Sequence, residues 1–384
     1  MEPLVPPGPP LTPEQTETYA RHLLLPALGE VAQRRLLAAR VCVVGAGGLG
    51  SPALLYLAAA GVGTLGIIDD DVVDRTNLQR QVLHGVDDVG RSKLDSAAER
   101  LRAIDPDLVI EPHRERLTAD NATAMLRGYD LVLDGTDTFE TRYAVSDACA
   151  ELGIPLVWAS VLGFDAQISV FWARPDLAGG GTTLRDLFPD PPAPGSVPSC
   201  AEAGVLGSLT GQVGSTMATE AIKLITGIGE PLLGRVLVLD ALAQRWTEVP
   251  LRPRERRSTP VRSAPVEAPA RAPERSPVAD AVDIDQLRAA VAQGEPVTLL
   301  DVRETFEVAH GAIPGALHIP LAHVLTETGR EAIPRDAVVV AYCQVGPRAE
   351  RAATALRAAG IDARWLVGGY PAWVAAEHEN VRTS

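Results

Sequence analysis

The stretch "RVCVVGAGGLGSPALLYLAAAGVGTLGIIDDD", residues 40–71, decides the fold of this chain. A short apolar run ends in glycines, an apolar helical pattern follows, and a second apolar run ends in carboxylates. Gly45, Gly47 and Gly50 stand as G-x-G-x-x-G between strand and helix, with Gly48 beside them. Glycine there lets the backbone approach a phosphate at a helix N-terminus. Asp69 follows Gly50 by 19 residues at the end of the second strand, a position from which a carboxylate binds ribose hydroxyls. Taken alone, this stretch predicts an NAD-dependent oxidoreductase.

The next residues argue against that. "DDDVVDRTNLQRQ" (69–81) sets three carboxylates and then Asn77, Arg80 and Gln81 just past the strand, Lys93 opens the next helix, and "DGTDT" (134–138) ends a later strand. Cations gathered near a phosphate loop suit a triphosphate better than a dinucleotide, because more negative charge must be neutralised. A carboxylate at a strand end, Asp137, suits the Mg²⁺ that ATP brings. Lysine is scarce here: of 35 basic residues only Lys93 and Lys223 are lysines, which makes the placement of Lys93 informative. Lys223, inside "ATEAIKLITG", reads as a solvated helix position, Cys42 and Cys149 as core, and His84 as structural.

Working outward, short apolar runs alternate with helical patterns through the first 250 residues or so. This predicts α/β architecture, a mostly parallel sheet with helices on both faces. Residues 252–280 hold six prolines and no apolar periodicity, and read as an extended linker. Beyond it, "VTLLDVR", "AVVVAYC" and "PRAERAATALRAAG" predict a second, smaller α/β domain over 281–384. Residues 1–17, acidic and proline-rich, read as a flexible tail without the basic and apolar regions of a secretion signal. The first α/β domain, with the phosphate loop, thus spans 18–251.

A formal net charge of −14 argues against nucleic acid as a partner. The longest apolar stretch falls short of the roughly 18 residues that span a membrane. Four scattered cysteines without a C-x-x-C fit a reducing, cytoplasmic setting.

The segments "VVGAGGLGSP", "TNLQRQVLH", "VGRSKLDSA", "LVLDGTD" and "SCAEAGVLG" together resemble the ubiquitin-activating superfamily in its bacterial form. That form comprises the adenylyltransferases that activate sulfur carriers for molybdopterin and thiamine biosynthesis. The resemblance implies that Asp69 holds the ribose, that Asn77, Arg80 and Lys93 contact phosphates, and that Asp137 binds Mg²⁺. It implies a homodimer in which Arg21, in "TYARHLLLP", reaches the neighbouring subunit's nucleotide. The implied substrate is the C-terminal Gly-Gly carboxylate of a ubiquitin-like sulfur carrier, attacking the α-phosphate of ATP. Two departures stand out. The paired C-x-x-C motifs of many relatives are missing, so no zinc site is expected, and Thr138 replaces an asparagine beside the metal position. Cys200, in "PSCAEAGVLG", matches a cysteine that in some relatives bonds to the carrier or its sulfur. A helix N-terminus following it would activate the thiolate; otherwise it is a small residue closing a loop.

The C-terminal segment "LLDVRETFEVAHGAIPGALHIPL" with "VGGYPAW" resembles the rhodanese fold, with Asp301, Arg303, His310, Gly311, Pro314 and Gly315 in order. Its loop runs from Cys343 to Arg348 as C-Q-V-G-P-R between strand and helix. Backbone N–H groups around such a loop form an anion nest for a thiolate or persulfide, and Arg348 adds positive charge. A cysteine phosphatase is the rival, but its loop puts five residues between cysteine and arginine, where this one puts four. The tighter loop fits one sulfur. The combined expectation is adenylylation of a carrier by the first domain and sulfur delivery from a Cys343 persulfide by the second. A cysteine desulfurase or other sulfur donor would load Cys343. The other reading keeps the oxidoreductase and makes the rhodanese-like domain a docking module.

Overall fold

The computed structural model describes all residues except 175, 177–180, 192–203, 255–279, 310, 345 and 384, and omits side chains at 291, 292, 306 and 378–383. The expectations for Cys200, for His310 and for nearly all of the linker therefore lie outside the described residues. The chain divides into two compact units, Met1–Ser258 and Thr259–Ser384.

The first unit is built on one eight-stranded sheet. Its strands are β1 (Arg40–Val44), β2 (Thr64–Ile68), β3 (Val109–His113), β4 (Leu131–Asp134), β5 (Leu156–Leu162), β6 (Asp165–Phe171), β7 (Arg235–Asp240) and β8 (Arg245–Pro250), in the order β3-β2-β1-β4-β5-β6-β7-β8. The pairs from β3 through β5 are parallel, and β6, β7 and β8 add antiparallel. Apolar alternation shows which residues face which layer. Val41, Val43, Leu65, Ile67, Leu131 and Leu133 enter one core cluster, while Cys42, Val44, Ile68 and Val132 enter the other. Both faces are thus covered, and the central strands read as continuous apolar runs. Cys42 and Cys149 are buried in the second cluster, where burial pushes both thiols well above the usual range. The sheet order reverses between β1 and β4, and in open α/β sheets ligands bind at that switch point.

Three details correct the sequence reading. Residues 1–17 are not a flexible tail. Leu4 and Val5 donate their N–H groups to Leu224 and Ile225, Gly8 donates to Arg34, and the Arg34 guanidinium returns two bonds to the Gly8 carbonyl. Val5 is buried, and Pro13–Thr18 forms a helix capped by Thr12. Prolines remove few donors here because neighbouring residues supply them. Lys223 is not a solvated position: it is paired with the buried Glu220 and donates to the Glu230 carbonyl at 2.8 Å. β8, an edge strand exposed along its whole length, carries no buried face and so left no apolar signal.

The second unit has a five-stranded parallel sheet in the order β11-β10-β12-β13-β9. The strands are β9 (Ala281–Val282), β10 (Val297–Asp301), β11 (Leu317–His318), β12 (Val338–Tyr342) and β13 (Ala363–Leu366). The central strand β12 ends at Tyr342, Cys343 follows it directly, and the helix Pro347–Ala358 comes next. β9 was missed because two residues show no periodicity.

Candidate functional site

The glycine loop leaves β1 at Gly45, whose φ of 92° only glycine adopts readily. Gly50 opens the helix Gly50–Ala59 so close to the loop that an added Cβ would lie 1.8 Å from the Gly45 carbonyl oxygen. The loop is held from both sides at Ala46. Its N–H donates to Asp69 Oδ2 at 2.8 Å, and its carbonyl lies 3.1 Å from His84 Nε2. A carbonyl only accepts, so Nε2 carries the proton and Nδ1 accepts from the Ser96 hydroxyl at 2.8 Å. Burial holds His84 below the usual histidine range, partly offset by the bond to Ala46.

One pocket opens over this loop. Gly45, Gly47, Gly48, Asp69, Arg80, Lys93 and Asp137 all line it; Gly50 lies beneath, packed against the loop. Lys93 is buried, its ammonium 2.7 Å from the exposed Asp71 and 4.0 Å from Asp69. Arg80 bonds neutral oxygens, the Thr76 carbonyl and Asn77 Oδ1. Asn77 therefore holds Arg80 and does not itself line the pocket. Arg21 is exposed on the helix Ala20–Leu23 and also lies outside this pocket. Thr138 caps the helix Phe139–Leu152, accepting from the Thr141 N–H.

Sequence reasoning missed Arg142, which lines the pocket, and the role of Asp134, buried at the end of β4 just before the pocket-lining residues 135–138. Arg142 is buried, bonds the Thr136 carbonyl and Ser160 Oγ, and sits over the Phe139 ring. Its signal was a charge on a buried helix face right after the Asp137 loop. Asp134 is fully buried: Oδ1 accepts from Thr136, while Oδ2 has no hydrogen-bond partner among the described residues. Burial pushes its carboxyl above the usual range, with Arg142 opposing.

In the second unit, Cys343 is buried and its Sγ accepts from the Gly346 N–H at 3.1 Å. Gly346, at φ 141°, has a conformation that disfavours a side chain, and an added Cβ would lie 3.2 Å from the Trp365 ring. The Cys343 carbonyl accepts from the Tyr370 N–H at 2.8 Å, which ties the loop to the "VGGY" turn. Below it, Asp301 and Arg303 form a buried pair, and Arg303 reaches the Gly311 carbonyl and lies over Tyr370. Burial pushes the Asp301 carboxyl up, but bonds from Arg303 and Tyr342 outweigh it and bring it below the usual range. Arg348 does not stand free over the loop. Both arms of its guanidinium bind the Glu307 carboxylate, at 2.6 and 2.7 Å.

A nucleotide-binding sheet with cations at its first loop, and a second unit enclosing one cysteine, define a class: nucleotide-using enzymes with an appended sulfur-handling domain. The family model described as ThiF family matches residues 19–261, and that of the rhodanese-like domain matches residues 283–376. The chain belongs to the ThiF family, and it is an enzyme of the adenylyltransferase and sulfurtransferase type. It is 48% identical over 381 residues to the "Probable adenylyltransferase/sulfurtransferase MoeZ" of Mycobacterium tuberculosis, covering 97% of this chain and 96% of that protein. It is 50% identical over 242 residues to the "Sulfur carrier protein adenylyltransferase" of Thermus thermophilus, covering 63% of this chain and 89% of that one. A crystal structure of PaaA shares the fold, with a TM-score of 0.54 at 22% identity over 63% of this chain and 76% of that one. The oxidoreductase reading is not favoured. Among the described residues no helix is long and apolar enough to cross a membrane.

Proposed function

We propose that this enzyme adenylylates the C-terminal Gly-Gly carboxylate of a ubiquitin-like sulfur carrier and then supplies its sulfur from a Cys343 persulfide. One observation carries the reading: the glycine loop, Asp69, Arg80, Lys93 and Asp137 share one pocket, in a chain that also holds the buried Cys343 loop.

The residues present fit ATP. Close backbone packing leaves no room for a Cβ at Gly50, four side-chain cations and five carboxylates line the pocket, and Asp69, beside the loop, would hold the ribose. Bound ATP would supply the electrophilic α-phosphorus, giving acyl-adenylate and pyrophosphate. Arg80 and Lys93 would hold phosphate oxygens, with Asn77 steering Arg80. Asp137, one of several exposed carboxylates lining the pocket, fits Mg²⁺, which keeps waters and takes its remaining ligands from phosphates. The carrier carboxylate arrives ionised, so the protein's task is positioning and charge neutralisation. Arg21, exposed and outside its own pocket, suits a reach to the nucleotide of a second subunit in a homodimer.

For sulfur transfer, the outer persulfide sulfur attacks the acyl carbon and AMP departs. A second thiol then cleaves the S–S bond, releasing the thiocarboxylate and leaving a disulfide at Cys343; Cys200 is a candidate for that thiol, and an external dithiol reductant must free Cys343 before the next cycle. A cysteine desulfurase in the cytoplasm would reload Cys343. The test is ATP–pyrophosphate exchange with purified carriers ending in Gly-Gly. Exchange that depends on the carrier's terminal carboxylate supports the reading, and exchange indifferent to every such carrier overturns it.

A further inference from the structure

Arg348 is the cation expected to greet an anionic sulfur donor at the Cys343 loop, yet its charge is already spent. Glu307, on the short helix Thr305–Val308, takes both guanidinium arms, and the two side chains are 13% and 16% exposed. Glu304 adds a second carboxylate acting on Arg348. The other guanidinium nearby, Arg303, is held by Asp301. Among the described residues, two guanidinium groups thus face three carboxylates. What remains for the sulfur, among the described residues, is the Gly346 N–H and the N-terminus of the helix Pro347–Ala358. These suit one thiolate or persulfide charge, but offer a further two negative charges nothing.

We propose that Glu307 sets the donor specificity of the Cys343 loop, closing it to dianionic sulfane donors and leaving it open to persulfides of other thiols. The proposal rests on the reading of Cys343 as a persulfide carrier. With a persulfide donor, the Cys343 thiolate attacks the outer sulfur, the donor S–S bond breaks, and the donor thiol leaves as thiolate with the electron pair. With thiosulfate the same attack expels sulfite, and the leaving dianion must be held beside Glu307 and Glu304. The attacking group is the same for both donors, so the discrimination is electrostatic and appears in KM.

The test uses the full-length enzyme with two probes, thiosulfate and an uncharged alkyl persulfide, following Cys343 persulfide formation by mass and turnover with cyanide. Glu307→Gln keeps the shape and frees Arg348. It should lower KM for thiosulfate about tenfold, the size of one partly screened charge-assisted hydrogen bond. Added salt should erase much of that gain, and loading from the alkyl persulfide should change less than about twofold. Glu304→Gln, at an exposed position, should lower the same KM about twofold and keeps the idea testable if Glu307→Gln does not fold. Unchanged thiosulfate KM in the folded Glu307→Gln enzyme, with persulfide loading intact, overturns the role of Glu307 alone. A parent enzyme that loads Cys343 from neither probe overturns the carrier reading, and this proposal with it.

Discussion

Replacing Gly50 by alanine sets two effects against each other. Alanine in place of glycine within a helix is worth up to about 1 kcal/mol in favour of the variant. The methyl carbon, however, would sit 1.8 Å from the Gly45 carbonyl oxygen, where contacts under 3.0 Å force something to move. The obstacle is backbone in a loop whose Ala46 is fixed by Asp69 and His84, so it cannot swing aside as a side-chain tip would. Overpacking of this kind costs about 3 kcal/mol. The steric effect wins by about 2 kcal/mol, which lowers Tm by roughly 4–8 °C for a unit of this size. The relief moves the glycine loop, and a displacement of about 1 Å at a positioning group can cost about 100-fold in rate. Calorimetry of the full-length protein and carrier-dependent pyrophosphate exchange read both effects. A Tm at or above the parent's, with unchanged exchange, refutes the reasoning.

Lys93→Met should reduce pyrophosphate exchange by about 100- to 1000-fold while leaving Cys343 loading from a persulfide unchanged, as separate assays would show. Cys343→Ala should do the reverse, abolishing thiocarboxylate formation and sparing exchange; normal thiocarboxylate yield would favour a docking role for the second unit. Deleting residues 1–8 exposes the Val5 site and removes the bonds from Leu4, Val5 and Gly8. The first unit should lose about 3 kcal/mol, visible as an earlier urea midpoint. His84 lies below its ordinary pKa when folded, so the unfolded chain takes up the proton first and stability falls as pH drops below about 6.5. His84→Gln should flatten that slope, which reaches at most about 1.4 kcal/mol per pH unit, in denaturation curves taken from pH 7 to 5.

The parts legible in the sequence were those with a period or a spacing. The strands β1, β2 and β4 are apolar runs bounded by glycine and carboxylates, so their existence and order followed directly, as did the pocket residues Gly45, Asp69, Arg80 and Lys93. What was not legible depends on contacts distant in sequence. Arg142 enters the pocket only because its helix packs under the Asp137 loop. Val5 is buried only because Leu224 and Ile225 lie across from it. Glu307 was invisible as a functional residue, since 41 positions separate it from Arg348. Composition misled at residues 1–17, where proline and charge signal solvation but Arg34 and the helix Gly207–Thr226 supply a surface to lie on.

The same device occurs twice in this chain, and the contrast between its two forms separates the chemistries. Each unit runs a central parallel strand into a glycine turn at positive φ and then into a helix N-terminus. In the first unit the turn lies open beneath a pocket lined by Arg80, Lys93, Arg116 and Arg142, and Arg80 bonds only neutral oxygens in the contacts described above. That site has room for a chain of phosphates, and Arg80 is not paired to a carboxylate in the contacts described. In the second the turn closes on a single sulfur, 1% of Cys343 is exposed, and the loop arginine is bound at both arms. A phosphate there would need three oxygens' worth of donors and an unpaired cation. Among its described residues the loop offers one N–H to the sulfur and no free arm of Arg348. Size and charge together therefore argue for a monatomic cargo at Cys343, which is what an acyl-adenylate formed by the first unit requires.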